Sequence, residues 1–304
     1  VLLFGPTGIQ RAIGSGRFQP LGGIASRAQV NEYDLAGSAL FAYGTGTGWL
    51  LRSTNAGASW KRLRLPLTDG RGRSREHLRS VSFTSTAQGF VIDTAGRVWV
   101  THNGGASWRE LPATGVSGAS DIAFADPLHG YLAGLSGSFG GSQQAYVLRT
   151  NDGGATWHPQ EISVGTEHGG GFVALSASSA ALLLRAEGEP VSRLFFTTSG
   201  GDVAGTPGAL TLATAHTRIS KRRLRALRHT IVVSGTLAGA VGGEQVVIGR
   251  RSLSGGGWED RTVVAGANGG AFSATFHVSG SSVFVAQWAG DSGRAGLGSR
   301  ALTV

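Results

Sequence analysis

One eight-residue pattern occurs three times at nearly constant phase, and a chain built on such a repeat has few folds open to it. It reads Ser53-Thr-Asn55-Ala-Gly57-Ala-Ser-Trp60, then Thr101-His-Asn103-Gly-Gly105-Ala-Ser-Trp108, then Thr150-Asn-Asp152-Gly-Gly154-Ala-Thr-Trp157. The tryptophans stand 48 and 49 residues apart. Two decayed copies keep the spacing in the forties: Ile13-Gly-Ser-Gly16-Arg-Phe18 upstream and Thr197-Thr-Ser199-Gly-Gly201 downstream. A period of that size is the length of one four-stranded propeller blade, a unit that cannot bury its apolar faces alone and must be stacked.

The residue types of the octamer suit a tight turn. A Ser or Thr hydroxyl and an Asn or Asp side chain can bond backbone N–H groups there. Gly57, Gly105 and Gly154 supply the positive φ, and the tryptophan folds back to bury its ring. The segments between octamers read as short strands: Leu78 to Phe83, Gly89 to Asp93 and Arg97 to Thr101, and again Ile122 to Phe124, Gly130 to Gly134 and Tyr146 to Thr150. Ala39 to Tyr43 and Gly48 to Ser53 play the same parts one unit earlier. Ser136 to Gln144, rich in Gly and Ser, reads as an insertion loop.

On these residues the chain resembles the Asp-box, or bacterial neuraminidase, repeat of sialidases, sortilin-type receptors, some endoglucanases and propellers related to photosystem II assembly factors. The acidic position survives in Asp152 and is Asn55 and Asn103 elsewhere. The resemblance implies a β-propeller over about residues 1–205, with about four blades and an N-terminal fragment, and it does not name an activity. An open arc, or a ring closed imperfectly, is expected.

Composition shifts near Gly205-Thr-Pro-Gly208. Beyond it Ile231, Val233 and Leu237 alternate with polar or small residues, as do Phe272, Ala274, Phe276 and Val278, then Phe284, Ala286 and Trp288. Asn268-Gly269-Gly270 reads as a hairpin turn between two such runs. Residues 209–304 resemble the Ig-like sandwiches at the C-terminal ends of bacterial surface proteins, without the Cys pair of antibody domains. The expected fold is all-β, a partial propeller followed by an immunoglobulin-like sandwich.

With 51 Gly, only 8 Pro and 40% apolar residues in 304, the chain is too hydrophobic for disorder. It carries a formal charge of +9, almost all as arginine, since Lys61 and Lys221 are the only lysines. That bias, beside abundant Ala and Gly, weakens any single Arg as a sign of a partner. Dispersed positive charge disfavours specific nucleic-acid recognition and leaves anionic polymers open. Cysteine is absent, which excludes disulfides, thiolate nucleophiles and Cys-based zinc sites. The first residues, Val1-Leu2-Leu3-Phe4, lack the basic n-region of a signal peptide, and the longest apolar stretch, Phe172 to Leu184, is too short and polar to span a bilayer. The chain therefore reads as part of a longer, extracytoplasmic protein.

The eight histidines have no zincin spacing, and there is neither a Gly-x-Ser-x-Gly elbow nor a phosphate-cradling loop. Asn151-Asp152-Gly153-Gly154 lacks the closing carboxylate of a calcium loop. No metal site and no cofactor is expected. A sialidase would need an Arg-Ile-Pro motif and a late Tyr, yet the tyrosines end at Tyr146. An endoglucanase-like propeller would need two carboxylates across a groove; Asp69, Glu76, Asp121, Asp126, Glu167, Glu187 and Glu189 are candidates. Two basic clusters could dock a polyanion: Arg71, Arg73 and Arg75, and Arg222, Arg223 and Arg225 within a run from Arg218 to Arg228 that reads as a loop or edge strand. The reading that results is a monomeric, non-catalytic display module binding a glycan, an anionic wall polymer or a protein, with a carboxylate glycoside hydrolase as the alternative.

Overall fold

The computed structural model describes residues 2–5, 8–13, 17–20, 30–45, 47–67, 77–116, 118–136, 144–160, 167–186, 192–201, 208–215 and 217–304. Five antiparallel meanders follow one another. The first joins β1 (Leu2–Gly5), β2 (Gly8–Ile13) and β3 (Arg17–Pro20); the second β4 (Glu32–Ala36), β5 (Ala39–Tyr43), β6 (Trp49–Ser53) and β7 (Lys61–Arg64). The third holds β8 (Leu78–Phe83), β9 (Gly89–Asp93), β10 (Val98–Thr101) and β11 (Arg109–Glu110); the fourth β12 (Ala119–Phe124), β13 (Gly130–Ser136), β14 (Gln144–Thr150) and β15 (His158–Gln160). The fifth has β16 (Glu167–Ala174), β17 (Ala180–Ala186) and β18 (Ser192–Thr197).

Alternation puts one set of side chains on each face of a strand, so a sheet in the middle of a stack must be apolar on both faces. Sheets two to four obey this. Phe41, Leu50 and Leu63 of the second sheet share a core with Val81, Phe83 and Val91 of the third. Phe90, Ile92 and Val100 on the third sheet's other face pack on Ile122, Leu132 and Leu148 of the fourth. Tyr131, Ala133 and Val147 then meet Ala180 and Leu182 of the fifth. The first strands of sheets two to five lie side by side. Successive meanders packed face to face with their first strands together form the arrangement of propeller blades. Among the described residues no core cluster joins the first sheet to the fifth, and the fifth turns Leu183, Leu194 and Phe196 to solvent.

Each octamer forms the same turn between the third and fourth strands of its sheet. The Gly57, Gly105 and Gly154 amides donate to Ser53 Oγ, Thr101 Oγ1 and Thr150 Oγ1 at 2.8–2.9 Å. Those hydroxyls donate on to Asn55, Asn103 and Asp152. Oδ1 of these three accepts the amides of Ser59, Ser107 and Thr156. The interchange of Asn and Asp has a local cause. Asn55 and Asn103 donate their Nδ2 to Ser59 Oγ and Ser107 Oγ, whereas Asp152 Oδ2 accepts from Thr156 Oγ1. A hydroxyl serves either partner. Glycine is required twice over at Gly154, where φ is 84° and a Cβ would meet Leu111 Cδ1 at 2.7 Å.

The turns aim their tryptophans into the core behind. Phe41 and Phe83 stack at 3.5 Å between ring centroids, and Trp108 stands edge-on to Phe83 at 6.2 Å. Phe90, Phe124 and Trp157 repeat the set at 3.5 and 6.1 Å.

From residue 208 on, two sheets enclose one core. One holds β19 (Leu210–Thr214), β20 (Thr230–Leu237) and β23 (Ala271–His277). The other holds β21 (Gln245–Ser252), β22 (Glu259–Val264), β24 (Ser282–Asp291), β25 (Arg294–Gly298) and β26 (Leu302–Thr303). Ile231, Val233, Phe272 and Phe276 from the first face Val246, Ile248, Phe284 and Trp288 from the second. Three expectations need correction here. Gly269 and Gly270 do take positive φ, 76° and 64°, but their turn carries the chain from one sheet to the other and closes no hairpin. The run from Arg218 to Arg228 is neither loop nor edge strand throughout: it contains a short helix, α1 (Lys221–Ala226). Ser220 caps it by accepting from the Arg223 amide, and arginine, leucine and alanine are good helix formers. Finally, Phe284, Ala286 and Trp288 do alternate into the core, yet Val283, Val285 and Gln287 between them are also buried, because that face lies on the fourth meander. Gln287 Nε2 donates to the carbonyls of Thr114 (2.9 Å) and Trp157 (3.2 Å).

Because Trp157 is 2% exposed and fills the core between two sheets, Trp157→Ala is expected to destabilise the chain by about 3–5 kcal/mol. Urea unfolding followed by tryptophan fluorescence measures this; a loss under about 1 kcal/mol would show that the ring is not a packing anchor.

Candidate functional site

The innermost strand of sheets two to five has one edge to which no strand is paired by a backbone ladder, and its amides need other partners. The chain supplies them from the preceding blade. Asp34 Oδ2 on β4 accepts from the Phe83 amide on β8 at 2.5 Å. Ser82 Oγ on β8 accepts from the Phe124 amide on β12 at 2.9 Å, and Asp121 Oδ2 on β12 accepts from the Phe172 amide on β16 at 3.1 Å. The rings of these three phenylalanines also pack into the inter-sheet cores, so one residue fixes both edge and face.

Among the described residues, acids gather on the inner strands at the polar residues of this ladder. Ser80 Oγ donates to Asp121 Oδ1 at 2.6 Å, and the Ile122 amide donates to the same oxygen at 2.9 Å. Burial pushes the Asp121 carboxyl up, and those bonds with the Phe172 amide pull it part of the way back. Asp34 follows suit, raised by burial against bonds from the Phe83 and Leu35 amides. Glu32, opposite Tyr43 in the β4–β5 register, is exposed at the rim. Partial desolvation and then the Asp121 charge raise its carboxyl. Tyr43 is 4% exposed, and burial followed by the Glu32 charge pushes its phenol well up. The result is an acidic cluster in which Glu32 alone is exposed; Asp34 and Asp121 have both oxygens engaged. Among the described residues no three His, Asp or Glu side chains are placed to hold a metal ion.

Of the acids singled out in the sequence whose side chains are described, Asp121 belongs to this cluster and Asp126 does not. Asp126 lies on the turn after β12, where bonds from the His129 and Leu128 amides and the His129 ring outweigh desolvation and hold it low. Glu167 begins β16. Asp69, Glu76, Glu187 and Glu189 lie outside the described residues, as do Arg71, Arg73 and Arg75. Arg222, Arg223 and Arg225 are exposed on α1. The octamer residues Ser53, Asn55, Gly57 and Trp60, with their counterparts through Trp157, lie in the turns already described. Glu32 and Asp34 escaped the sequence reading. A Glu-Tyr-Asp-Leu run at a strand start looks like any half-exposed strand, and only the stacking order brings it to Asp121.

No family model matches the chain, and no curated protein matches it. Several solved structures are similar. YCF48 bound to D1 peptide is 14% identical, with a TM-score of 0.37, covering 89% of this chain and 82% of its own. YCF48 from Cyanidioschyzon merolae is 14% identical at a TM-score of 0.40, covering 91% and 94%. The GH74 enzyme of Niastella koreensis is 17% identical at 0.47; 88% of this chain matches only 42% of that one. The fold assignment rests on the sheets themselves.

The pH response of the cluster follows from its shifts. An acid whose folded pKa is raised binds more protons folded than unfolded, so its stability contribution is full below the unfolded value and is lost as pH rises through the folded one. Asp121→Asn is expected to be less stable than the parent at low pH by about 1–3 kcal/mol, because its NH2 cannot accept the Ile122 or Phe172 amide, whereas the hydroxyl oxygen of the protonated acid still can. The gap should narrow as pH rises from about 4 towards neutrality. Urea midpoints of both chains across that range test this; a gap that widens with pH would reverse the assignment.

Proposed function

We propose that the chain is a non-catalytic binding module displayed outside the bacterial cytoplasm, with an Asp-box propeller over residues 1–205 and an Ig-like sandwich over 209–304. In this reading the octamers are Asp boxes that serve as turns, and recognition falls to surface loops and to the basic helix α1. The observation that carries it is the engagement of Asp34 and Asp121. Asp121 ties the strands on either side of it through its two carboxylate oxygens, and Asp34 accepts from the next inner strand through one oxygen and from its own strand through the other, so neither is free to pair with Glu32 for glycosidic chemistry. No helix among the described residues is long and apolar enough to cross a membrane. The proposed ligand class is an anionic wall polymer, with an uncharged glycan or a protein as other members of the same binding reading.

Electrostatics favours that choice. Arg218, Arg222, Arg223, Arg225 and Arg228 are all exposed, and none has a carboxylate partner among the described residues. The chain as a whole carries +9. One observation favours the hydrolase alternative: Glu32 is raised partly by the charge of Asp121, and pairs of interacting acids are common in active sites. Release of reducing ends from β-glucans, lost in Glu32→Gln, would establish it.

Replacing Arg222, Arg223 and Arg225 by serine is expected to abolish retention on purified cell wall at low salt. The parent's retention should fall steeply between 0.01 and 0.15 M salt, as the Debye length shrinks from about 30 to about 8 Å. Co-sedimentation at the two salt concentrations measures both. Equal retention of parent and variant, with unchanged circular dichroism, would refute the basic-helix site.

A further inference from the structure

The three inter-sheet cores between the second and fifth sheets are built to one plan, and the last lacks a part. Between the second and third sheets the plan is Phe41, Phe83 and Trp108; between the third and fourth it is Phe90, Phe124 and Trp157. Between the fourth and fifth, Tyr131 and Phe172 occupy the first two places, but their rings stand 5.4 Å apart and tilted by 59°. The turn that should deliver the third ring is formed: the Gly201 amide donates to Thr197 Oγ1 at 2.7 Å, as in the intact octamers. Seven residues after the leading hydroxyl, where Trp60, Trp108 and Trp157 stand, the sequence has Ala204, itself outside the described residues. A second substitution accompanies it. Leu63 and Leu111 back the octamer glycines Gly105 and Gly154, and Gln160 takes that place behind Gly201.

A cavity of about 360 Å³ lies in this third core, lined by Tyr131, Val147, Phe172, Ala180, Leu182 and Phe195. Its lining is mainly apolar and its size is that of a small ligand site. A gap of this kind forfeits the contacts its lining would make, so the fold gains when a shaped group fills it.

We propose that this cavity is a receptor for the side chain of a tryptophan carried by a partner polypeptide. The sister cores supply the template: each takes an indole, attached to a peptide backbone, edge-on to the phenylalanine that corresponds to Phe172, at 6.1–6.2 Å. That edge-to-face geometry is a favoured aromatic arrangement. Tyr131 is held for it, its hydroxyl donating to the Gly200 carbonyl at 3.3 Å with the Arg149 guanidinium 5.8 Å from its ring centroid. The partner's indole thus replaces the one the repeat has lost. This inference does not depend on the basic helix, and the two can fail separately.

The test uses the full chain with methyl-labelled Leu and Val, and three probes: a capped Gly-Gly-Trp-Gly-Gly peptide, the same peptide with Ala for Trp, and N-acetyltryptophanamide. Saturable ring-current shifts at the Leu182 and Val147 methyls are expected with the Trp peptide and none with the Ala peptide. The Trp peptide should bind roughly tenfold more tightly than the free amide, about 1.4 kcal/mol. Ala180→Leu, which puts a side chain into the cavity, should abolish the shifts while the melting temperature holds or rises. Ala180→Val, a smaller plug, covers the case in which leucine disrupts folding, and should weaken binding severalfold. No shift with the Trp peptide, equal shifts with the Ala peptide, or unaltered binding in a folded Ala180 variant would overturn the proposal. Equal affinity for the free amide would overturn the polypeptide source.

Discussion

The stack from the second sheet to the fifth depends on the seating of Phe83, Phe124 and Phe172. Each is held twice. Its ring meets an aromatic partner on the preceding sheet, and its amide is tied to a polar side chain on the preceding inner strand. A meander of this length buries too little surface to fold alone. Face packing by itself would let neighbouring sheets slide, since dispersion between apolar surfaces has little direction. The amide tie adds the direction. It sets the height of one blade against the next, so that the octamer turn delivers its indole beside the phenylalanine ring and not above or below it.

The same tie explains why acids occur where the blades converge. An edge amide left unbonded costs about 1–3 kcal/mol, and a carboxylate accepts from it more strongly than a neutral oxygen does. The chain uses serine at one step and aspartate at two. Aspartate has a drawback that serine lacks, because burial disfavours its charge; both Asp34 and Asp121 are raised for that reason. Asp121 offsets it by serving strands on both sides through two oxygens. Perturbed acidity here therefore has a structural origin, and a shifted carboxyl alone is weak ground for assigning catalysis.

What could be read from the sequence is what repeats at short range. The octamer turn is closed by bonds within five residues, so its hydroxyl, amide and glycine positions declare themselves. The 48- and 49-residue period then announces the blade. Three things were hidden, two of them because their causes lie elsewhere in the chain. Glu32 comes within reach of the Asp121 charge, and Asp34 of the Phe83 amide, only through stacking, across nearly ninety and nearly fifty residues. The helix α1 has six residues, too few for an apolar period to emerge, and its signal was the Ser220 cap. Val283, Val285 and Gln287 look like a solvent face until the fourth meander is laid on them.

That last contact ties the C-terminal sheets to the repeat itself. Gln287 is 8% exposed, and its amide nitrogen places its two hydrogens on the carbonyls of Thr114 and Trp157. A buried side-chain amide is costly unless its donors are met, so these bonds specify one docking position. Gly115 and Gly298 permit it: a Cβ on Gly115 would meet Val285 Cγ2 at 2.8 Å, and one on Gly298 would strike the backbone of Trp157. Trp157 thus acts in two directions, its ring locking the third sheet to the fourth and its carbonyl receiving the C-terminal strand. Trp60 and Trp108 carry the same octamer position, and nothing in the motif marks Trp157 for this second duty. It arises because β24 is apolar on both faces, which is what a strand between two cores requires.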